Sequence, residues 1–140
     1  MNFRFTKYAF TNALWTLIPI FPIFSIFPCV LLALGIEKIT HNCEISYTIV
    51  LWFSILFILL TSFLFFRKLD SFLLNEKTIR QKFMSLNFTL YILLNTVIYI
   101  IMLGVNVACH GDGQTALMTI VSGPISSLLL IVFGFFIDLR

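Results

Sequence analysis

The sequence predicts an all-α integral membrane protein: a four-transmembrane-helix bundle with short outer loops and an amphipathic cytoplasmic loop. Three observations carry this. Of its 140 residues, 60% are hydrophobic and only 11% charged, whereas a soluble domain carries about a quarter charged residues. A small water-soluble fold leaves too much of itself exposed to hide that apolar surface. The charges also cluster, leaving four long gaps: Lys7 to Glu37, Glu44 to Arg67, Lys82 to His110 and Asp112 to Asp138. Each exceeds the roughly 20 apolar residues needed to cross about 30 Å of hydrocarbon. Finally, continuous runs such as FSILFILL (Phe53 to Leu60) lack the alternation of barrel strands. The gaps place helices near 9–35, 46–66, 86–109 and 115–137, in a single membrane domain over 1–140.

The first segment follows two basic residues, Arg4 and Lys7, and holds a small-residue site at Ala33 to Gly35. Its apolar stretch is too long for a signal core and is interrupted by prolines, so it reads as a retained helix. IFPC, ending at Cys29, lacks the small residue that a lipoprotein site needs. The run PIFPIFSIFP, from Pro19 to Pro28, is nearly a three-residue repeat. Each proline removes a donor and crowds the carbonyl four residues back. Pro19 thus frees the carbonyl of Trp15, Pro22 that of Ile18, and Pro28 that of Phe24. In lipid those carbonyls need other partners, and the Thr16 hydroxyl is the nearby candidate. Pro19, Pro22, Pro28 and Pro124 are the predicted kinks. A kinked packing helix is the expectation; a broken, ion-coordinating helix of the transporter kind is the alternative. Phe21, Phe24 and Phe27 form a predicted packing ridge.

No charge falls in the central part of any segment, which counts against a proton-coupled pump. The predicted buried polar set is Asn12, Thr16, Ser54, Thr61, Asn95, Asn106, Ser122, Ser126 and Ser127. In the fourth segment, Ser122 with Ser126 and Gly123 with Ser127 are four apart. Small residues at that spacing let helices approach closely. The contact lies either inside the bundle or in a homodimer.

Basic residues in short loops sort to the cytoplasm. Arg4 and Lys7, then Arg67, Lys68, Lys77, Arg80 and Lys82, then Arg140 all fall on one side. The other side has only Lys38, offset by Glu37 and Glu44. Both termini and the middle loop are therefore expected inside a bacterial inner membrane, against anionic lipid heads. The basic balance is explained by this orientation, and no nucleic-acid partner is read from it. In the middle loop, Leu69, Phe72 and Leu73, and likewise Ile79 and Phe83, fall on one stripe at helical spacing. The expectation is an extension of the flanking helices lying on the lipid surface; a partner-binding arm is the alternative.

All three cysteines fall on the predicted outer side, where disulfides persist. Cys43 with Cys109 is the preferred pair, leaving Cys29 free. His41, Cys43, Cys109 and His110 supply the residue types of a structural zinc site, but their spacing fits poorly. No metal or cofactor is therefore expected. The outer turn ACHGDGQTA, Ala108 to Ala116, carries a thiol, an imidazole and a carboxylate. A Cys–His nucleophile pair needs side-chain contact and an orienting third group, which adjacent residues do not supply, so no enzyme is expected. Instead Gly111 and Gly113 suit a tight turn, with Asp112 or Thr115 capping the next helix. His41, Glu44, His110, Asp112 and Gln114 are the candidate partner-binding residues of the outer loops.

What remains is a protein of packing surfaces. The leading expectation is a small immunity protein that binds a membrane-acting bacterial toxin. The alternatives are a small channel or transporter, and an accessory subunit of a larger membrane complex.

Overall fold

The computed structural model describes residues 4–16, 18, 20–72, 76–110 and 113–139. Six helices follow in order: α1 Arg4–Trp15, α2 Ile20–Thr40, α3 Cys43–Phe72, α4 Glu76–Leu103, α5 Val105–Cys109 and α6 Gly113–Asp138. Among the described residues, four segments are long and apolar enough to cross a membrane: Ile20–Thr40, Cys43–Lys68, Thr78–Leu103 and Leu117–Asp138. The protein is an all-α four-helix membrane bundle.

The first predicted helix, 9–35, is in fact two. α1 closes at Trp15 and α2 opens at Ile20. Pro22 sits in the first turn of α2, where an N–H has no intrahelical partner and its absence costs nothing. The predicted partner for the freed carbonyls is also corrected. The Trp15 carbonyl accepts from the Ile18 N–H at 3.2 Å, and the Ile18 carbonyl from the Phe21 N–H at 3.0 Å. Tight backbone turns answer them, and the Thr16 hydroxyl donates instead to the Ala13 carbonyl at 2.6 Å. α2 has 21 residues, about 31 Å at 1.5 Å per residue, so it spans the hydrocarbon without α1. Pro28 lies within α2 and Pro124 within α6, and neither ends its helix. Pro19 lies outside the described residues. The expected phenylalanine ridge does not pack as a unit. Phe21 meets Tyr91 and Phe88, while Phe24 and Phe27 point outward.

α1 docks lengthwise on α6. The Asp138 carboxylate accepts from the N–H groups of Phe5 and Thr6 at 3.0 and 2.8 Å, and from the Thr6 hydroxyl at 2.7 Å. An acidic side chain from the far end of the chain thus caps the start of α1, satisfying donors that the helix leaves open. One turn back on α6, Gly134 admits the close approach. A Cβ there would lie 3.0 Å from the Phe5 carbonyl oxygen.

α3 and α4 absorb most of the predicted middle loop, since α3 runs to Phe72 and α4 begins at Glu76. Ile79 and Phe83 are not on the lipid surface. Both are fully buried, in a cluster with Phe5, Ala9, Phe65 and Ile137. α1 is the reason: its Phe5 ring meets Phe83 at 5.0 Å between centroids and covers the stripe. The side chains of Leu69 and Phe72, and residue Leu73, lie outside the described residues. The third predicted helix, 86–109, is interrupted at Gly104, whose φ of 76° belongs to the left-handed region that glycine adopts freely. α5 follows as a short separate helix.

Candidate functional site

The break between α1 and α2 lies beside one face of α4. Asn87, Tyr91 and Asn95 are spaced four apart, so they stack along that face. α6 presents Ser122, Gly123, Ser126 and Ser127 opposite. All of these polar side chains are buried, and together they form an uncharged seam through the bundle.

The upper part of the seam is closed on itself. Asn95 donates to the Pro22 carbonyl at 3.2 Å and to the Ser25 hydroxyl at 2.6 Å. Ser122 donates to the Asn95 carbonyl oxygen at 2.5 Å, and Ser25 donates to the Pro22 carbonyl at 2.7 Å. Ser126 turns back to the Ser122 carbonyl at 2.8 Å. Gly123 makes this junction fit: a Cβ there would lie 2.7 Å from Pro22 Cγ and 3.0 Å from the Tyr91 hydroxyl oxygen. The small-residue stripe is thus used inside the bundle, against α2 and α4.

The lower part is open. Ser127 donates to the Thr16 hydroxyl at 2.9 Å, and Asn12 donates to the Asn87 carbonyl oxygen at 2.9 Å. The Asn87 amide nitrogen and the Tyr91 hydroxyl are buried with no partner at close hydrogen-bond distance, though the Ser25 hydroxyl lies near enough to Tyr91 to interact with it. Leaving such a group unpaired costs about 1–3 kcal/mol. Both line a cavity of about 40 Å³ with Asn12, Thr16 and Ser127. The groups named here can donate and accept hydrogen bonds. They include no carboxylate, imidazole, thiol or ammonium group.

The outer-loop residues singled out in the sequence gather at the opposite end of α2. Cys43 and Cys109 form a disulfide, with Cα atoms 5.8 Å apart, joining the start of α3 to the end of α5. His41, Glu44 and His110 are exposed around it. His110 Nδ1 sits 3.0 Å from the Asn106 carbonyl, and His41 ends α2 with a φ of 52°. Asp112 lies outside the described residues, as does the side chain of Gln114. Thr115 is the third residue of α6, so it does not occupy the cap position expected of it. Asn42 caps α3, its side-chain oxygen accepting from the Ile45 N–H at 3.1 Å. Cys29 is a buried free thiol. Among the described residues, no three of His, Cys, Asp or Glu gather as metal ligands do.

Of the expected buried polar set, Thr16, Ser54, Asn95, Ser122, Ser126 and Ser127 are buried, and Asn12 and Thr61 are half-buried. Asn106 is a correction, since it is exposed on α5 beyond the Gly104 break. The sequence reading missed Ser25, Asn87 and Tyr91. The four-residue spacing of Asn87, Tyr91 and Asn95 was the available signal.

The fold and this seam define a multi-pass membrane protein with an uncharged polar seam among apolar core clusters. The chain matches no protein-family model, no curated protein and no solved structure.

Proposed function

We propose that this chain is a small immunity protein of a bacterial inner membrane, binding a membrane-acting toxin through helix–helix contacts. In this reading the termini and the segment between α3 and α4 are cytoplasmic, and the disulfide end is outside. The observation that carries it is the outward face of α3. Trp52, Leu56, Leu59 and Phe63 are each more than 60% exposed. Their 4-3-4 spacing makes one continuous ridge, the pattern on which a second helix docks. His41, Glu44 and His110 form a polar rim at the end of α2, suited to the toxin's outer part. Binding of this kind needs surfaces and no catalytic group.

The test is challenge by toxin-producing sibling cells. Cells with the gene should survive and deletants should die, and Leu56→Ala with Phe63→Ala should abolish protection while the protein still inserts. Survival of the deletant rules the reading out. Capture of one large membrane complex in mild detergent, without protection, would instead identify an accessory subunit. Orientation has its own check: an impermeant thiol reagent should label Cys43 in spheroplasts after reduction and leave a Ser85→Cys probe silent.

A second reading, a small channel or transporter, is favoured by the helix break and its polar seam, since interrupted helices line solute sites in transporters. It predicts flux of ions or small solutes into liposomes holding only this protein. Flat traces remove it.

A further inference from the structure

We infer that the cavity beside the α1–α2 break binds a neutral oxygen-bearing group, a hydroxyl or an ester carbonyl, presented from the lipid side. The hydrogen-bond balance of the cavity sets the chemistry. The Thr16 and Ser127 hydroxyls are engaged with each other, and the Asn12 amide is engaged with Asn87. What remains is the Asn87 amide nitrogen, buried and unpartnered, and the Tyr91 hydroxyl, buried with no partner at close hydrogen-bond distance and only the Ser25 hydroxyl near enough to interact with it. An amide nitrogen can only donate, so the missing partner must supply an acceptor.

Charge and size narrow it further. The cavity lining carries no charged side chain, and an anion taken from water into such a site would be left uncompensated. The volume is about 40 Å³, and a single water needs about 10–15 Å³ measured this way. The space therefore fits the polar end of a molecule, not a whole sugar or headgroup. Trp15, Phe21 and Phe88 supply the aromatic part of the lining. Trp15 is 60% and Phe88 50% exposed on the bundle's outer surface, so the entry is an aromatic rim facing lipid. Exposed Lys82 lies five residues before Asn87 on α4, about 7.5 Å along the helix axis, and a lysine near a helix end reaches toward the headgroups. That offset puts Asn87 within reach of the layer where acyl esters meet hydrocarbon. The group comes either from a lipid glycerol ester or from a free short-chain alcohol.

Trp15 is the reporter. A Trp52→Phe background leaves it as the sole tryptophan. In detergent, that protein is titrated with 1-butanol. In a second arm, its Trp15 emission is compared between nanodiscs of diester phosphatidylcholine and of the diether analogue, which lacks the carbonyls. A saturable emission change with butanol that weakens about tenfold in Tyr91→Phe, and is lost in Asn87→Leu, establishes a site for free alcohols. An ester–ether difference that is lost in the same variants establishes a lipid site. Tyr91→Phe keeps the ring that packs on Phe21, so it carries the test where Asn87→Leu does not fold. The inference is overturned by no saturable response and no ester–ether difference, the behaviour of a site that holds water alone. It is equally overturned by a response that persists unchanged in both variants.

Discussion

α3 and α4 are neighbouring crossings held in opposite ways. α3 is the most apolar of the four crossings and α4 the least. Yet 17% of the α3 crossing window is buried, against 44% of that of α4. In water the more apolar helix would be central. In lipid the tails are as apolar as leucine, so hydrophobicity gives helices no reason to meet. Polar and small residues decide instead. α4 is central because Asn87 and Asn95 find partners on α1, α2 and α6. α3 spends its Thr48 and Thr61 hydroxyls on its own backbone. It is held at one end by the disulfide and near the other by Phe65 in the aromatic cluster.

The largest effect on this contrast should come from cutting the covalent tie of α3. Cys43→Ser opens a link across 66 residues of sequence and should cost about 2–4 kcal/mol. Hydrogen exchange should then rise first at the start of α3 and leave the α4 seam protected. Equal loosening of both helices would break the comparison. Next is Gly123→Ala, which pushes a methyl group into Pro22. Unfolding in mixed micelles should show a loss of about 1–3 kcal/mol.

Asn95→Ala removes the hub of the closed seam and should cost about 1–2 kcal/mol by the same measurement, near the upper range for membrane hydrogen bonds. Asp138→Asn weakens the cap on α1 and should cost about 0.5–1 kcal/mol. Its effect should appear as faster exchange at Phe5 and Thr6 alone. The smallest change is expected from Leu56→Ala, which faces lipid on α3. Stability should move by about 0.5 kcal/mol or less, whereas the proposed function has protection abolished when Phe63→Ala is added.

Several features were legible only once the chain was folded. Ile79 and Phe83 have the spacing of an interfacial stripe, and nothing near them shows that Phe5 arrives to cover it. Asn87 stands five residues after Lys82, close enough to the charged segment to read as a boundary residue. Its burial follows from Asn12, which is 75 residues away. The prolines of the first segment were visible, but they are compatible with either a kink or a break. The backbone turns at Trp15 and Ile18 decide for the break, because they satisfy the freed carbonyls locally.

The sequence by itself determined the solvent, the four apolar crossings, the uncharged interior and the clustering of basic residues toward one side. These are sums along the chain, because the cost of placing a residue in lipid is set first by the residue's own polarity. Tertiary structure decided which helix is central, where the first helix divides, and which polar groups are left without partners. Those depend on pairs such as Thr16 and Ser127, 111 residues apart. In a bilayer such pairs, more than apolar burial, tell one helix face from another.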